Sequence, residues 1–355
     1  MNAPMPDSSA ITVRPYRAPE EKDLVALFRR VFPGTISEDH WRWKLKYRSS
    51  PVDNVWVAVS DGIPVFQYAG IPTRFWLSQT PAITMVSVDT MTAPEFRRRG
   101  LLTQVAGRAY EVWRENGVAF IIGLPNQQWG SRAGALGWQT LFPLQWMARP
   151  LRPEAILARR LNIPFLNRAT FAASVWNHFL KGRARRNPQV QTERVRHAGE
   201  EFDRIWDHCK ADWMFSTVRD REWVDWRFFS SPSRAYEVTV ARRAGTPAGY
   251  SAHYLVEWGN SVSAYLAELF VARADQATRD TLLCELIETL VASKVEALFT
   301  LAVPGTPDFQ WLRRCGFIPR HAFSIQVVPL SAQLPMELMS DPHHWNLSGA
   351  DFDVV

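Results

Sequence analysis

Three arginines and a glycine, Arg97-Arg98-Arg99-Gly100, stand between a β-rich run ending in Val88-Asp89-Thr90-Met91-Thr92 and an amphipathic segment that opens at Leu101-Leu102-Thr103. Backbone N–H groups at a helix start carry partial positive charge, and guanidinium groups beside them add charge-assisted donors, so this arrangement can hold a phosphate-bearing group. A basic turn before an amphipathic helix is also a common structural feature, and the loop alone leaves both readings open. Asp89 adds a carboxylate near the end of the run. A carboxylate there can accept a proton, pair with an arginine or cap a turn.

The elements that must position these groups are legible around them. Leu102, Val105, Ala106, Ala109, Val112 and Trp113 recur on one face of a helix whose other face carries Gln104, Arg108, Glu111 and Arg114, and Asn116-Gly117 closes it. Val118 to Leu124 is too short for a second helix and reads as a buried strand. Upstream, Ala18 to Val31 has helical spacing, and two β-like runs, Asn54 to Ser60 and Val65 to Tyr68, flank the turn Asp61-Gly62. A short helix is expected near Ser131 to Leu136.

The same order occurs twice. Asp89 to Pro125 is 36 positions and Glu268 to Pro304 is 36; Pro125 to Gly137 is 12 and Pro304 to Gly316 is 12. Each glycine precedes an aromatic, Trp138 and Phe317. Trp43-Lys44 leads to Ser49-Ser50-Pro51 as Trp226-Arg227 leads to Ser230-Ser231-Pro232. Several intervals in one order imply two copies of one α/β domain.

With 355 residues, 46% apolar and 21% charged, the chain is long enough for two such cores. No stretch approaches the roughly 20 apolar residues of a membrane span, and the N-terminus lacks the regions of a signal peptide, so a cytoplasmic protein is expected. Cys209, Cys284 and Cys315 are far apart and form no CxxC pair, so neither a disulfide nor a zinc framework is expected. Between Pro150 and Arg196 lie ten basic and two acidic residues, which locates the excess positive charge in one connecting segment. There Phe165, Ala169, Ala172, Val175, Trp176, Phe179 and Leu180 recur at helical spacing; the segment reads as a docked helix, with a membrane-surface helix as the alternative. It contains no nucleic-acid reading module, and no nucleic-acid partner is expected.

Pro94-Glu95-Phe96-Arg97-Arg98-Arg99-Gly100-Leu101-Leu102 resembles the pyrophosphate loop of the GNAT N-acetyltransferases, R/Q-x-x-G-x-G/A between a strand and a helix. Arg97 fills the first position and Gly100 the fourth; Leu102 stands where a second small residue is usual. Leu124-Pro125-Asn126 followed by Gly137-Trp138 resembles the family's asparagine and its "G-F" strand entry. The resemblance implies acetyl-CoA as cosubstrate, without a metal, bound at Arg97, Arg98, Arg99, Gly100, Leu101, Leu102, Thr103 and Asn126, with the strand backbone at Met91 and Thr92 pairing its pantetheine arm. It also nominates Asp89 as the base. A tyrosine four residues before the "G-F" pair protonates the leaving thiolate in many members; Ala133 stands there here, so the acid is Ser131, Tyr110, a water or a group outside the motif.

The fold expected from the resemblance is α/β, two tandem GNAT-like domains, each a mixed, mostly antiparallel sheet flanked by helices. The boundaries read as 11–149 for the domain with the coenzyme A loop, 150–196 for the basic linker, 197–330 for a degenerate copy and 331–355 for a tail. The second copy has Ala272-Arg273-Ala274-Asp275-Gln276-Ala277-Thr278-Arg279 where the first has its cradle, with no glycine and an aspartate that would repel phosphate. Glu268 reads as a satisfied structural carboxylate. The tail, with His343-His344, Asp351 and Asp353, fits no metal spacing and reads as solvated. The layout is similar to bacterial GNAT-like proteins attributed to polysaccharide pathways. Two functions follow: transfer of an acetyl group to a primary amine of a small molecule, an amino sugar being one such acceptor, or a catalytically silent coenzyme A-binding scaffold or sensor. Nothing in the sequence speaks to oligomeric state.

Overall fold

The computed structural model describes residues 10–47, 52–124, 132–163, 184–259 and 261–352. They form two compact units, neither of them contiguous in sequence. One comprises the described residues up to Phe75 with Pro81–Leu141 and Ile325–Pro335; the other comprises Trp76–Thr80, Phe142–Ser324 and the residues from Met336 onward.

In the first unit the chain runs through β1 (Thr12–Pro15), α1 (Glu21–Val31), α2 (Glu38–Lys46), β2 (Val55–Ser60), β3 (Ile63–Leu77), β4 (Thr80–Thr92), α3 (Leu101–Glu115), β5 (Val118–Gly123) and the short α4 (Arg132–Ala135). The β2–β3 turn is Asp61-Gly62, with φ of +50° and +79°, the left-handed pair that matches the twist of a two-residue hairpin. β5 is buried along its whole length, and α3 buries Leu101, Val105, Ala106, Ala109, Tyr110 and Trp113 against the sheet. The strand order is β1-β2-β3-β4-β5, with β4 and β5 parallel. The sixth strand comes from the far end of the chain: Gln326 to Pro329 pair antiparallel with Gly123 to Phe120.

The chain continues through β6 (Gln139–Pro150), α5 (Pro153–Leu161), β7 (Val190–Val195), α6 (Glu201–Cys209), β8 (Phe215–Thr217), α7 (Arg221–Val224), β9 (Glu237–Arg243), β10 (Thr246–Trp258), β11 (Ser261–Val271), α8 (Gln276–Ala292), β12 (Ala297–Ala302), α9 (Pro307–Arg314), β13 (Ile318–Pro329) and β14 (Trp345–Asn346), which build the second unit apart from the end of β13 that completes the first. Its order β7-β9-β10-β11-β12 reproduces the order of the first unit, including one parallel step, β11 to β12. The sixth strand is β6, whose Gln145 to Pro150 pair antiparallel with Ala302 to Ala297. Each half of the sequence thus carries the five consecutive strands of one unit's order and a sixth strand that completes the other's, and the second half adds the short pair β8 and β14. The spacing of the repeat locates the copies, but the sixth strands make the compact units cut the chain at other points than 149 and 330, and β7 lies inside the segment read as linker. The helix read at Phe165 to Leu180 lies outside the described residues.

The residues after Met336 are not a solvated tail. Trp345, Ala350 and Phe352 are buried, and Arg227 donates from Nε to Ala350 O (2.8 Å) and from Nη2 to Phe352 O (3.0 Å). Gly349 lies so close to Tyr265 that a Cβ would fall 1.9 Å from its Oη, so no side chain fits there. Asp351 accepts from Arg219 Nη2 at 2.7 Å. This carboxylate, read from the sequence as part of a solvated tail, is a structural partner of an arginine.

Candidate functional site

The cradle begins where β4 ends. Ala93 donates its N–H to Val65 O (2.9 Å), and a single 3₁₀ turn, Pro94–Phe96, redirects the chain. Arg98 and Gly100 then adopt left-handed backbone, φ +64° and +75°, and α3 starts at Leu101. Gly100 has room for a Cβ; its nearest contact would be Gln104 Nε2 at 3.7 Å, so the backbone conformation and not crowding favours glycine here. No side chain caps α3 and no acidic residue stands in its first turn, so the amides of Leu101, Leu102 and Thr103 meet no cap from their own helix. Arg97, Arg98 and Arg99 are exposed, with the Arg99 guanidinium 4.8 Å over the Phe96 ring. The nearby acid, Glu95, is held by Arg30 at 2.8 Å, and that hydrogen bond keeps its carboxyl below the usual carboxylate range. A helix N-terminus without a side-chain cap, three cations and an acid already paired can together hold an anion.

A slot adjoins the cradle. β4 and β5 pair from Ile83↔Val118 to Val86↔Ile122 and then stop, although β4 runs on to Thr92. The β5 side of Asp89 to Thr92, including the Met91 and Thr92 backbone, is therefore not paired by β5 and can receive an extended chain as an added strand.

Asp89 has φ +48°, a left-handed backbone within β4 that a regular strand does not adopt. Gln67, fully buried, braces it: its Nε2 donates to Asp89 O (3.1 Å) and its Oε1 accepts from Trp41 Nε1 (3.1 Å). The Asp89 carboxylate lies 2.8 Å from Lys44 Nζ, with the lysine side chain 4% and the aspartate side chain 12% exposed. Reading the sequence alone did not find Lys44 or Gln67 as site residues. The available signal was a lysine on the stripe His40, Trp41, Lys44, Leu45, all of which α2 buries, and a glutamine inside the apolar run Val65-Phe66-Gln67-Tyr68.

Tyr110, one of the candidate acids, sits in α3 with its hydroxyl already engaged. Trp138 Nε1 donates to it (3.1 Å), and it shares a hydrogen bond with Tyr68 Oη (2.9 Å). Burial raises its pKa well above the ordinary tyrosine value, and burial likewise raises Tyr68 to about 12. A phenol so held donates a proton poorly. Tyr110→Phe is expected to cost about 1–2 kcal/mol, the penalty for leaving the Trp138 donor unpaired, and to change turnover less than about tenfold, since 1.36 kcal/mol in the barrier is one factor of ten; urea unfolding and steady-state rates measure both. A loss of a hundredfold or more would make Tyr110 the acid. Asn126 and Ser131 lie outside the described residues.

The counterpart in the second unit is closed. Asp275 caps α8, accepting from Thr278 N (3.1 Å) and Thr278 Oγ1 (2.6 Å). Glu268, the counterpart of Asp89, is 2% exposed and bound by Arg219 Nε (2.7 Å) and Ser348 Oγ (3.0 Å).

Residues 12–140 match the family model described as an acetyltransferase (GNAT) domain. No curated protein matches the chain. Among solved structures, the chain is similar to a conserved protein of unknown function and probable N-acyltransferase from Enterococcus faecalis V583 (12% identity, 92% of this chain and 74% of that one, TM-score 0.66). It is similar to a tandem GNAT protein from the clavulanic acid biosynthesis pathway (15% identity, 91% and 99%, TM-score 0.58). It is also similar to Saccharomyces cerevisiae N-myristoyltransferase with bound myristoyl-CoA (12% identity, 92% and 85%, TM-score 0.59). At these identities the likeness establishes the fold: a mixed sheet flanked by helices, with a tandem GNAT protein among its neighbours.

Proposed function

We propose that this chain is an N-acyltransferase that moves an acetyl group from acetyl-CoA directly to a primary amine of a small molecule, with one acetyl-CoA held at Arg97 to Thr103. The observation that carries the reading is the uncapped N-terminus of α3 behind three exposed arginines, inside the segment that matches the acetyltransferase (GNAT) domain. The amides of Leu101 to Thr103 and the guanidinium groups take the phosphate oxygens, and Asn126 contributes from beyond β5. The backbone of Met91 and Thr92 pairs with the pantetheine arm, which places the thioester near Asp89.

Asp89 takes one proton of the acceptor ammonium, and the freed amine attacks the thioester carbonyl. The C–S bond breaks, and water relays the second nitrogen proton to the departing thiolate, leaving the amide and the coenzyme A thiol. Lys44 orients the carboxylate, and Asp89→Asn is expected to lower kcat by about a hundredfold, the low end of the roughly 10²–10⁴ range for general base catalysis. Its affinity for acetyl-CoA should stay near that of the wild type. Equal kcat in the variant would make the Lys44–Asp89 pair purely structural.

The second copy, with its capped α8 and buried Glu268, is read as degenerate, binding no coenzyme A in the family manner. Similarity of layout suggests an amino sugar as acceptor. A second reading is favoured by Ala133 standing where a tyrosine is usual and by the engaged hydroxyl of Tyr110: a coenzyme A-binding scaffold or sensor without turnover. Coenzyme A release over a broad amine panel, amino sugars included, separates the two. Release with any primary amine supports the enzyme, and binding without release on every amine supports the scaffold.

A further inference from the structure

Asp89 does not act beside empty space. Its carboxylate lies 2.8 Å from Lys44 Nζ, and both side chains are largely buried, so the pair is neutral as a whole and mostly removed from water. A buried charge needs a paired, hydrogen-bonded partner, and an ion pair broken from one side is costly. Two steps of the reaction put that neutrality at stake. An acceptor ammonium arriving at Asp89 adds a second cation beside Lys44. Transfer of its proton then turns Asp89 into a neutral acid, and Lys44 loses the carboxylate it is paired with.

An anionic group on the acceptor meets both demands. Ammonium and anion entering together bring no net charge, and the anion pairs Lys44 when Asp89 takes the proton. Lysine carries three N–H donors, so Nζ can hold Asp89 and a second anion at once. Nζ and Oδ2 are 2.8 Å apart, so the anion has to lie within about two carbons of the nitrogen for both contacts to form. The second unit contains a cation in this double role, with both partners supplied by the chain. Arg219 lies 2.7 Å from Glu268, the counterpart of Asp89, and 2.7 Å from Asp351. Arg227, the counterpart of Lys44 in the repeat, is turned instead to Ala350 O and Phe352 O.

Resting on the role given above to Asp89, we propose that the acceptor is a zwitterion, a primary amine with a carboxylate or phosphate one or two carbons from the nitrogen, and that Lys44 is the specificity-determining residue that holds the anion. An α-amino acid and 2-aminoethyl phosphate both have this chemistry. An amino sugar without an anionic group does not supply it.

The test follows coenzyme A release from acetyl-CoA with matched amines: the common α-amino acids and their carboxamides, 2-aminoethyl phosphate and ethanolamine, and glucosamine. At least one anionic amine should exceed its neutral counterpart in kcat/KM by about tenfold or more, the worth of one hydrogen bond to a charged group. The carboxamide's amine is the less basic and sheds a proton more readily, so amine reactivity alone would favour the neutral member. Amino acids leading the panel identify a carboxylate, and 2-aminoethyl phosphate leading it identifies a phosphate. Lys44→Gln keeps a donor toward Asp89 and removes the charge. It should abolish the preference, whereas a purely structural lysine would lower both members of a pair equally. Lys44→Met is the second variant, and a thermal melt checks the fold of each. Calorimetric titration of the same amines into the protein, with coenzyme A present, reads the preference without turnover. A binding preference with no coenzyme A release on any amine would overturn the base role of Asp89 and support the zwitterion site. Neutral amines used and bound as well as anionic ones, glucosamine leading the panel, a folded Lys44→Gln protein that keeps the preference, or no amine bound up to millimolar concentration would overturn the proposal.

Discussion

Gly100→Asp is expected to weaken acetyl-CoA binding by at least about a hundredfold, roughly 2.7 kcal/mol, while the melting temperature moves only a few degrees. The two halves of that expectation have one cause. At φ +75° an aspartate pays about 1 kcal/mol or somewhat more in backbone strain relative to glycine. Its carboxylate then caps α3 and meets the positive end of the helix, which returns about as much. The second unit already contains this arrangement, with Asp275 bonded to Thr278 at the start of α8. A helix start capped in this way has spent its amides and holds a negative charge where the phosphates would sit. Calorimetric titration and a thermal melt on the same preparation measure both quantities; unchanged affinity with an intact fold would place the phosphates elsewhere.

Arg219→Met is expected to destabilise the protein by about 3–5 kcal/mol, the cost of breaking a buried ion pair from one side. Arg219 is fully buried between Glu268 and Asp351, at 2.7 Å from each, and its Nη1 also donates to Ser216 Oγ and Thr217 O. Methionine fills much of the same volume but leaves two carboxylates facing each other. Glu268→Gln should cost within about 1 kcal/mol, because an amide can still accept from Arg219 and one charge leaves the interior. The pH dependence has a definite sign. Burial raises the Glu268 pKa above 4.5, with Asp351 adding to the rise and Arg219 opposing it. Its contribution is therefore fully present below pH 4.5 and is lost as pH rises through the raised value. Urea midpoints from pH 4.5 to 8 should show this slope in the wild type and a smaller one in Glu268→Gln. An Arg219→Met protein as stable as the wild type would remove the network from the account of the fold.

Local signals carried much of this structure into the sequence. Asp61-Gly62 determined a hairpin because few other residues tolerate its backbone, and the spacing of Leu102 to Trp113 determined α3 because one face had to be buried. The equal intervals from Asp89 and Glu268 revealed the duplication, and β11, α8 and β12 follow it. Pairings between distant segments were not legible. Gln139 to Pro150 and Ile318 to Pro329 have the composition of ordinary strands, and only tertiary packing decides which sheet each completes. Ser348 and Asp351 look like any polar tail until Arg219 is seen to need acceptors. Lys44 and Gln67 were hidden for a related reason: a polar residue on a buried face has meaning only once its partner, here Asp89, is in place.

The central claim is that one acetyl-CoA binds per chain, at the start of α3. Calorimetric titration of the purified protein with acetyl-CoA tests it most directly. A single site is expected, one equivalent per chain, with affinity in about the micromolar range common for such cosubstrates. No heat of binding at any concentration tested, or two equivalents of similar affinity, would contradict it.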